Sequence, residues 1–381
     1  MKMFATAIVA LALLGVILPE KQVMSFTSPI LSLAAKADGP YVLYSKDYVY
    51  TKYVNDENGM ATVISDSFVN SDKSKITLKV NTDVPGKLFP VKLKDQLTPE
   101  PSDFPGVTKI LVVSDIEGSF GAFRKMLQGN GVIDSNFNWT FGTGHLVLTG
   151  DFVDRGDLVT EVLWLIYRLE DKAKAAGGYV HFILGNHEIM NMSGDLRYLN
   201  KKYATNALLL NEHFVNLYGE NAELGRWFRT KNVMEKVGDF LFIHAGVSDL
   251  VNRMEVTPSS INQLVRPYYA DSTYRYPDPK LDTLYSDFGP FWYRGYYTGT
   301  RKAGMPQIDS TLTKFGVKHI ATGHTVIADT VSMLYGGKVF NTDVHHAKGI
   351  SEGLLVDGNQ VYRVNALGEK FLLLNRRNEY K

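Results

Sequence analysis

The chain has 381 residues, 45% apolar and 21% charged, with a formal net charge of +1 and no cysteine. This composition supports a large packed core and excludes a disordered chain, and the length admits roughly two domains. The near-neutral charge gives no field of its own for a nucleic-acid partner, and the lack of cysteine rules out disulfides, thiol nucleophiles and cysteine-based zinc sites.

Lys2 precedes an apolar run from Met3 to Leu18. Such a run reads as the core of a signal peptide or as an N-terminal membrane anchor. Ala35-Lys36-Ala37 offers a small-x-small cleavage site before Asp38. Residues 1–37 are therefore expected to send the chain for export, to the periplasm or to a membrane-anchored position facing it.

Residues 38–105 have a different texture. Tyr41–Val54 is dense in tyrosine and valine with partial alternation, Asn58-Gly59 marks a turn, and Ile76, Leu78 and Val80 alternate. This predicts a small β-rich unit of hairpins. Pro99, Pro101, Pro105 and Gly106 form a stiff connector and the expected domain boundary.

Residues 106–381 change to a strand, loop, helix pattern. KILVVSD, HLVLTGD, YVHFILGNHE, DFLFIHAG, HIATGHT and KVFNTDV each read as a short apolar strand running into a polar loop. GAFRKMLQ and residues 158–176 have helical periodicity, and residues 205–228 read as an amphipathic helical segment. The C-terminal GLLVDGNQVYRVNAL and KFLLL read as closing hairpin strands. Alternating buried strands and helices predict an α/β layered domain whose site lies at the carboxyl ends of its strands.

Those strand ends carry the chemistry. Asp115 and Glu117 follow the first, Asp151, Asp154 and Arg155 the second, and Asn186, His187 and Glu188 the third. His244 follows the fourth and His324 the fifth. A single histidine after a strand is ordinarily a packed core residue. Five consecutive strand ends bearing ligand-type side chains are not. Hard divalent cations take carboxylate and amide oxygens, borderline ones also imidazole. A carboxylate such as Asp151 can bridge two cations, which together polarise a phosphoryl oxygen and hold a hydroxide. Arg155 suits phosphate, and His187 paired with Asp154 suits proton donation to a leaving oxygen.

GDFVDRG, GNHE, HAG and GHT, in this order, resemble the phosphoprotein-phosphatase branch of the calcineurin-like metallophosphoesterases. GNHEIMNMSGDLRY and the later WYRG resemble most the bacterial Shewanella-like protein phosphatases. The resemblance covers about Lys109 to Asp343. It implies a metallophosphoesterase β-sandwich flanked by helices, with one cation on Asp115, Glu117 and the bridging Asp151. The other would sit on Asp151, Asn186, His244 and His324. It also implies His187 as general acid oriented by Asp154, with Arg155 and Arg294 on the phosphate. The expected activity is a phosphomonoesterase, a protein phosphatase for serine/threonine or tyrosine, in which a metal-bound hydroxide attacks phosphorus. Its substrate would be a phosphoprotein or a small phosphomonoester, and no nucleic acid.

The family's first motif is Asp-x-His-Gly, whereas this chain has Asp115-Ile116-Glu117-Gly118. Glu117 is ionised near neutrality and is expected still to bind metal. That set favours Mn²⁺ or Mg²⁺ over Fe or Zn and predicts an alkaline-shifted optimum. The opposing reading is a lost cation and a catalytically degenerate, exported binding protein. A symmetric dinucleotide-polyphosphate hydrolase shares the motifs and is the enzyme alternative. His345 and His346 are left between substrate contacts and loop residues, and Asp195 and Arg197 between support of the GNHE loop and a surface ion pair. The tyrosine-rich stretch 266–297 is open between a substrate-facing cap and a cover for core. His145, His181, His213 and His319 are read as packing residues.

Overall fold

A computed structural model describes residues 22–24, 35–273, 275–299 and 302–376. The apolar run Met3–Leu18 lies outside them. Among the described residues, no helix is long and apolar enough to cross a membrane.

The described chain opens with β1 (Gln22–Met24), β2 (Asp38–Tyr44), β3 (Tyr48–Glu57) and β4 (Met60–Val69), an antiparallel sheet in the order β1-β4-β3-β2. Asn58 and Gly59 join β3 to β4, both at positive φ, as a two-residue hairpin turn demands. A second hairpin pairs β5 (Thr77–Asn81) with β6 (Leu88–Lys92). These strands pack on the rest of the chain, sharing one buried cluster with it. Trp164 Nε1–H donates to the Pro40 carbonyl at 2.8 Å, and Arg124 forks onto Asp83 at 2.8 and 2.6 Å.

The connector does more than link. Its last residues form β7 (Asp103–Phe104), which pairs in parallel with the strand Met234–Val237. Glu100 meets the buried Lys231 at 3.0 Å.

The remaining strands are β8 (Lys109–Val113), β9 (His145–Leu148), β10 (Tyr179–Phe182), β11 (Met234–Val237), β12 (Phe240–Ile243) and β13 (His319–Thr322). Then come β14 (Ser332–Leu334), β15 (Val339–Asn341), β16 (Glu352–Asp357), β17 (Gln360–Asn365) and β18 (Lys370–Asn375). They form two six-stranded sheets, ordered β10-β9-β8-β16-β17-β18 and β14-β15-β13-β12-β11-β7. Period-two alternation explains why the strands are apolar throughout. Ile110, Val112, Phe240, Phe242, Ala321 and Phe340 belong to one buried cluster between the sheets, while Leu111, Val113, Leu241, Ile243, Ile320 and Val339 belong to another under the helices. The result is the layered sandwich expected, with helices outside two facing sheets. Within it β8, β9 and β10 run parallel, as do β12, β13 and β15, so each trio delivers its carboxyl ends together.

Residues 205–228 are not one helix. They are divided among a helix Lys201–Leu209, a 3-10 turn Phe214–Tyr218 and a helix Glu223–Phe228. Asn211, at φ +56°, ends the first, since asparagine enters the left-handed region cheaply. The stretch 266–297 covers core: Tyr269, Leu281, Leu284, Phe291 and Tyr296 are buried, and Tyr276 stacks on Tyr285.

Candidate active site

Four of the five strand ends singled out from the sequence open into one cavity of about 480 Å³, lined by Asp115, Glu117, Asp151, Arg155, Asn186, His187 and His324 together with Arg294, and the remaining one brings the buried His244 against Asp151 and Asn186. The loops are unusual in backbone. Asp115, Glu117, Asp151, Asp154, Arg155 and His324 all have φ between +47° and +69°. Non-glycine residues hold that region only where surrounding contacts impose it. Glu188 supplies much of that imposition. Its Oε1 accepts the Phe152 N–H at 2.7 Å, and its Oε2 accepts those of Gly185 and Asp151 at 2.8 and 3.0 Å. The first two loops are zipped together by Asp115 N–H to Gly150 O, Glu117 N–H to Asp151 O and Gly156 N–H to Glu117 O.

Asp151, His244 and His324 place ligand atoms within 4.8 Å of one another, all buried. His244 Nδ1–H donates to the Thr149 carbonyl at 2.7 Å, which turns Nε2 toward the cluster, where a cation would take the place of its proton. That Nε2 lies 3.2 Å from Asp151 Oδ2, 3.0 Å from Asn186 Oδ1 and 3.1 Å from His324 Nδ1. His324 Nε2–H is spent on the Trp292 carbonyl at 3.2 Å, which likewise frees Nδ1. Two imidazole lone pairs, a carboxylate and an amide oxygen aimed at one point suit a divalent cation. Their titration shows the same crowding. Burial disfavours charge on His244, yet Asp151 outweighs it and lifts the ring to about 9. His324 is pushed down, by burial first and then by His244.

Asp115 is held by the His324 N–H at 3.2 Å. Burial raises its carboxyl well above the ordinary range, and Asp343 raises it further. Asp343 is the residue the sequence reading did not assign. It follows β15, lines the cavity, is buried, and is raised to about 7, by burial first and then by Asp151. Its signal was present in KVFNTDV, a sixth strand running into an acid.

His187 Nδ1–H donates to Asp154 Oδ2 at 2.6 Å, while Asn191 Nδ2–H holds Asp154 Oδ1 at 2.8 Å. The pair fixes the ring and leaves Nε2 on the cavity side, 3.8 Å from Asp151 Oδ2. Burial opposes protonation of His187, but Asp151 and Asp154 prevail and hold it above its usual value. Arg294 Nη1–H donates to the His324 carbonyl at 2.7 Å and to Thr325 Oγ1 at 3.1 Å, so the GHT loop anchors it. Arg155 lies under the ring of Tyr198 and forms an ion pair with Glu117.

His345 and His346 also line the cavity; His345 pairs with Asp329, and His346 is buried with Nδ1 3.2 Å from Ser351 Oγ. Asp195 and Arg197 pair with each other at 2.7 Å near the surface. His181 contacts Glu235 at 2.6 Å and His145 at 2.8 Å, away from the cavity.

Two facing sheets whose strand ends gather cation donors, two arginines and a carboxylate-held histidine define a phosphoester hydrolase. Residues 108–328 match the model of the calcineurin-like phosphoesterases, and the chain belongs to that family. It is 34% identical, with a TM-score of 0.80, to the crystal structure of a cold-active protein-tyrosine phosphatase from a psychrophilic Shewanella species, over 89% of this chain and 100% of that one. It is 26% identical over 292 residues to Shewanella-like protein phosphatase 2 of Arabidopsis thaliana, covering 65% of this chain and 73% of that protein. It is 28% identical over 228 residues to Shewanella-like protein phosphatase 1 of Plasmodium berghei, covering 57% and 61%. The chain is a phosphatase of the metal-dependent kind.

Proposed function

We propose that the chain is a protein phosphatase that hydrolyses phosphomonoesters with two divalent cations, and that phosphotyrosine is its first substrate. The observation that carries this reading is the convergence, in one cavity, of the Asp151–Asn186–His244–His324 donor set with the His187–Asp154 pair and two arginines. Asp115 adds a carboxylate for the other cation, and Mn²⁺ suits such mixed oxygen and imidazole sets. When bound, the cations polarise the phosphoryl group and lower the pKa of a water. The chain's own residues do the rest. Arg155 and Arg294 hold the non-bridging oxygens and stabilise the charge that develops on them. As the bond from phosphorus to the leaving oxygen breaks, His187 Nε2–H delivers its proton to that oxygen. Asp154 accepts from Nδ1–H and, with Asp151, favours the doubly protonated ring that can give up its Nε2 proton. Val326, Val344 and Ala347 give the cavity an apolar side suited to an aryl leaving group. Similarity to the cold-active protein-tyrosine phosphatase of Shewanella supports the same preference.

The test is hydrolysis of phosphotyrosine, phosphoserine and phosphothreonine peptides by metal-stripped chain reloaded singly with Mn²⁺, Mg²⁺, Zn²⁺ or Fe²⁺. We expect Mn²⁺ to restore turnover, phosphotyrosine to be preferred, and Asn186→Ala and His187→Ala each to lower kcat at least about a hundredfold. Turnover without metal, or unaffected by both substitutions, overturns the reading. Release of nucleoside diphosphates from dinucleoside tetraphosphates as the faster reaction would replace it with the symmetric hydrolase. The exported address read from Met3–Leu18 is part of the proposal, and fractionation of cells expressing the full chain tests it.

A further inference from the structure

We infer that Lys348 is a specificity-determining residue that selects substrates carrying an acidic side chain beside the phosphotyrosine, an inference that rests on the phosphatase reading above. Lys348 lines the active-site cavity and is exposed. It closes the 3-10 turn His346–Lys348, which follows β15 and Asp343. The turn is pinned at both ends. His346 is buried with Nδ1 3.2 Å from Ser351 Oγ. Lys348 N–H donates to the His345 carbonyl at 3.0 Å, and Gly349 N–H donates to that of His346 at 3.0 Å. The backbone of Lys348 is thus held at the mouth of the cavity, while its flexible four-carbon stem bears the ammonium.

The charge of the cavity says what that ammonium meets. Asp115, Glu117, Asp151 and Asp343 line it with four carboxylates, which match the charge of two divalent cations. His187 is offset by Asp154, and His345, next to the turn that carries Lys348, by Asp329. Three cationic side chains are left over, Arg155, Arg294 and Lys348, and this balance is the same however Glu117 divides between a cation and Arg155. A phosphomonoester brings about two negative charges at neutral pH, and the two arginines answer them. Lys348 remains: among the described residues, no hydrogen bond or ion pair engages its ammonium. Its place in the chain locates the extra anion. Val326, Val344 and Ala347 form the apolar side given to the aryl leaving group. Lys348 comes one residue after Ala347, so the anion it meets belongs to what the aryl ring is attached to, the peptide flanking the phosphotyrosine. An ammonium lacks the planar fork of a guanidinium and acts as a point charge, which suits a carboxylate whose position differs from one peptide to the next.

The test uses two phosphotyrosine peptides of equal length, with glutamate or with lysine on both sides of the phosphotyrosine. Each is hydrolysed by the Mn²⁺-loaded full chain and by its Lys348→Arg, Lys348→Ala and Lys348→Glu variants. The readout is the ratio of kcat/KM for the glutamate peptide to that for the lysine peptide, in which any change of folding or metal content cancels. Wild type is expected to favour the glutamate peptide about tenfold, and Lys348→Arg to keep that preference. Lys348→Ala should lower the ratio about three- to fivefold, the size that one partly exposed ion pair allows, and Lys348→Glu should lower it further. The effect of Lys348→Ala should shrink between about 0.02 M and about 0.5 M salt, as it does for exposed charges. A ratio that is the same in wild type and Lys348→Glu, or a wild type that does not distinguish the two peptides, overturns the inference. Turnover of para-nitrophenyl phosphate with turnover of neither peptide overturns it as well and leaves the phosphatase reading standing. A wild-type chain that hydrolyses none of the three with Mn²⁺ overturns the phosphatase reading itself, and this inference with it.

Discussion

At the scale of single residues, the site is built from positions where little else fits. A Cβ added to Gly323 would stand 2.2 Å from Asp115 Oδ2 and 2.9 Å from the Ser114 Cβ. Neither neighbour gives way freely: Asp115 is held by the His324 N–H, and Ser114 is fully buried at the end of β8. Gly323→Ala is therefore expected to displace the Asp115 carboxylate and to cost about 1–3 kcal/mol of stability, the usual penalty of overpacking. Mn²⁺ content per chain should fall below that of wild type while the variant still unfolds cooperatively; unchanged metal content would show that Asp115 does not hold a cation. Much of this site is legible in the sequence, because polar groups that come after buried strands have nowhere to go but a shared mouth. Asp115, Asp151, Asn186, His187, His244 and His324 are all found that way. Two features are not. Asp343 escapes because its signal, one acid after the strand in KVFNTDV, becomes specific only once the neighbouring strands are known. The Glu117–Arg155 pair depends on side-chain direction across two loops, which spacing does not encode.

Among the elements, the strands are read more surely than the helices, since a fully apolar run leaves few alternatives while a long amphipathic stretch can be cut anywhere. Asn211 and Gly219 make those cuts in residues 205–228, and the reason lies in what the pieces hold. The helix Lys201–Leu209 presents Asn206, fully buried, to the start of β2. Its Oδ1 accepts the Lys36 N–H at 3.3 Å, and its Nδ2 donates to Lys36 O at 2.9 Å and to Asp38 Oδ2 at 3.2 Å. Ala35 is buried in the same core. Residues 35–37, expected from sequence to be removed with the leader, thus make ordered contacts. Asn206→Ala removes these three bonds, while Tyr41 and Lys202 still reach the buried Asp38 carboxylate, and should cost roughly 1–2 kcal/mol in urea unfolding. In a chain starting at Asp38 the Lys36 bonds are already gone, so the same substitution should cost less there. Equal costs in the two backgrounds would mean that the Lys36 contacts do not contribute.

For the molecule as a whole, the N-terminal strands meet the catalytic half through a buried charged cluster, and this cluster makes stability depend on pH. Lys202 Nζ lies 3.3 Å from Asp38 Oδ1 and donates to the Asp157 carbonyl at 2.6 Å, two residues beyond Arg155. Glu161, in the first turn of the helix Val159–Ala175, is buried beside them with no hydrogen-bond partner for Oε2. Burial raises its carboxyl from 4.5 to about 8, Asp38 adds to the rise, and Lys202 opposes it. Between those two values the unfolded chain has given up a proton that the native chain keeps. The native state then binds more protons, so stability is full below the lower value, falls as pH rises, and levels off above about 8. Glu161→Gln keeps the shape and removes the charge. It should match wild type near pH 5 and exceed it near pH 8.5 by an amount on the order of a few kcal/mol, about 1.4 kcal/mol for each tenfold gain in proton affinity that the cluster sustains. Subtracting the two urea-unfolding profiles cancels every other titrating group, including the carboxylates of the active site. Parallel profiles would mean that Glu161 is ionised in the native protein, with Lys202 shared between it and Asp38. A gap that widens from pH 5 to pH 8.5 would identify the seam between the two parts of the chain, which Lys202 ties to the Asp157 carbonyl, as a place where alkaline conditions loosen it.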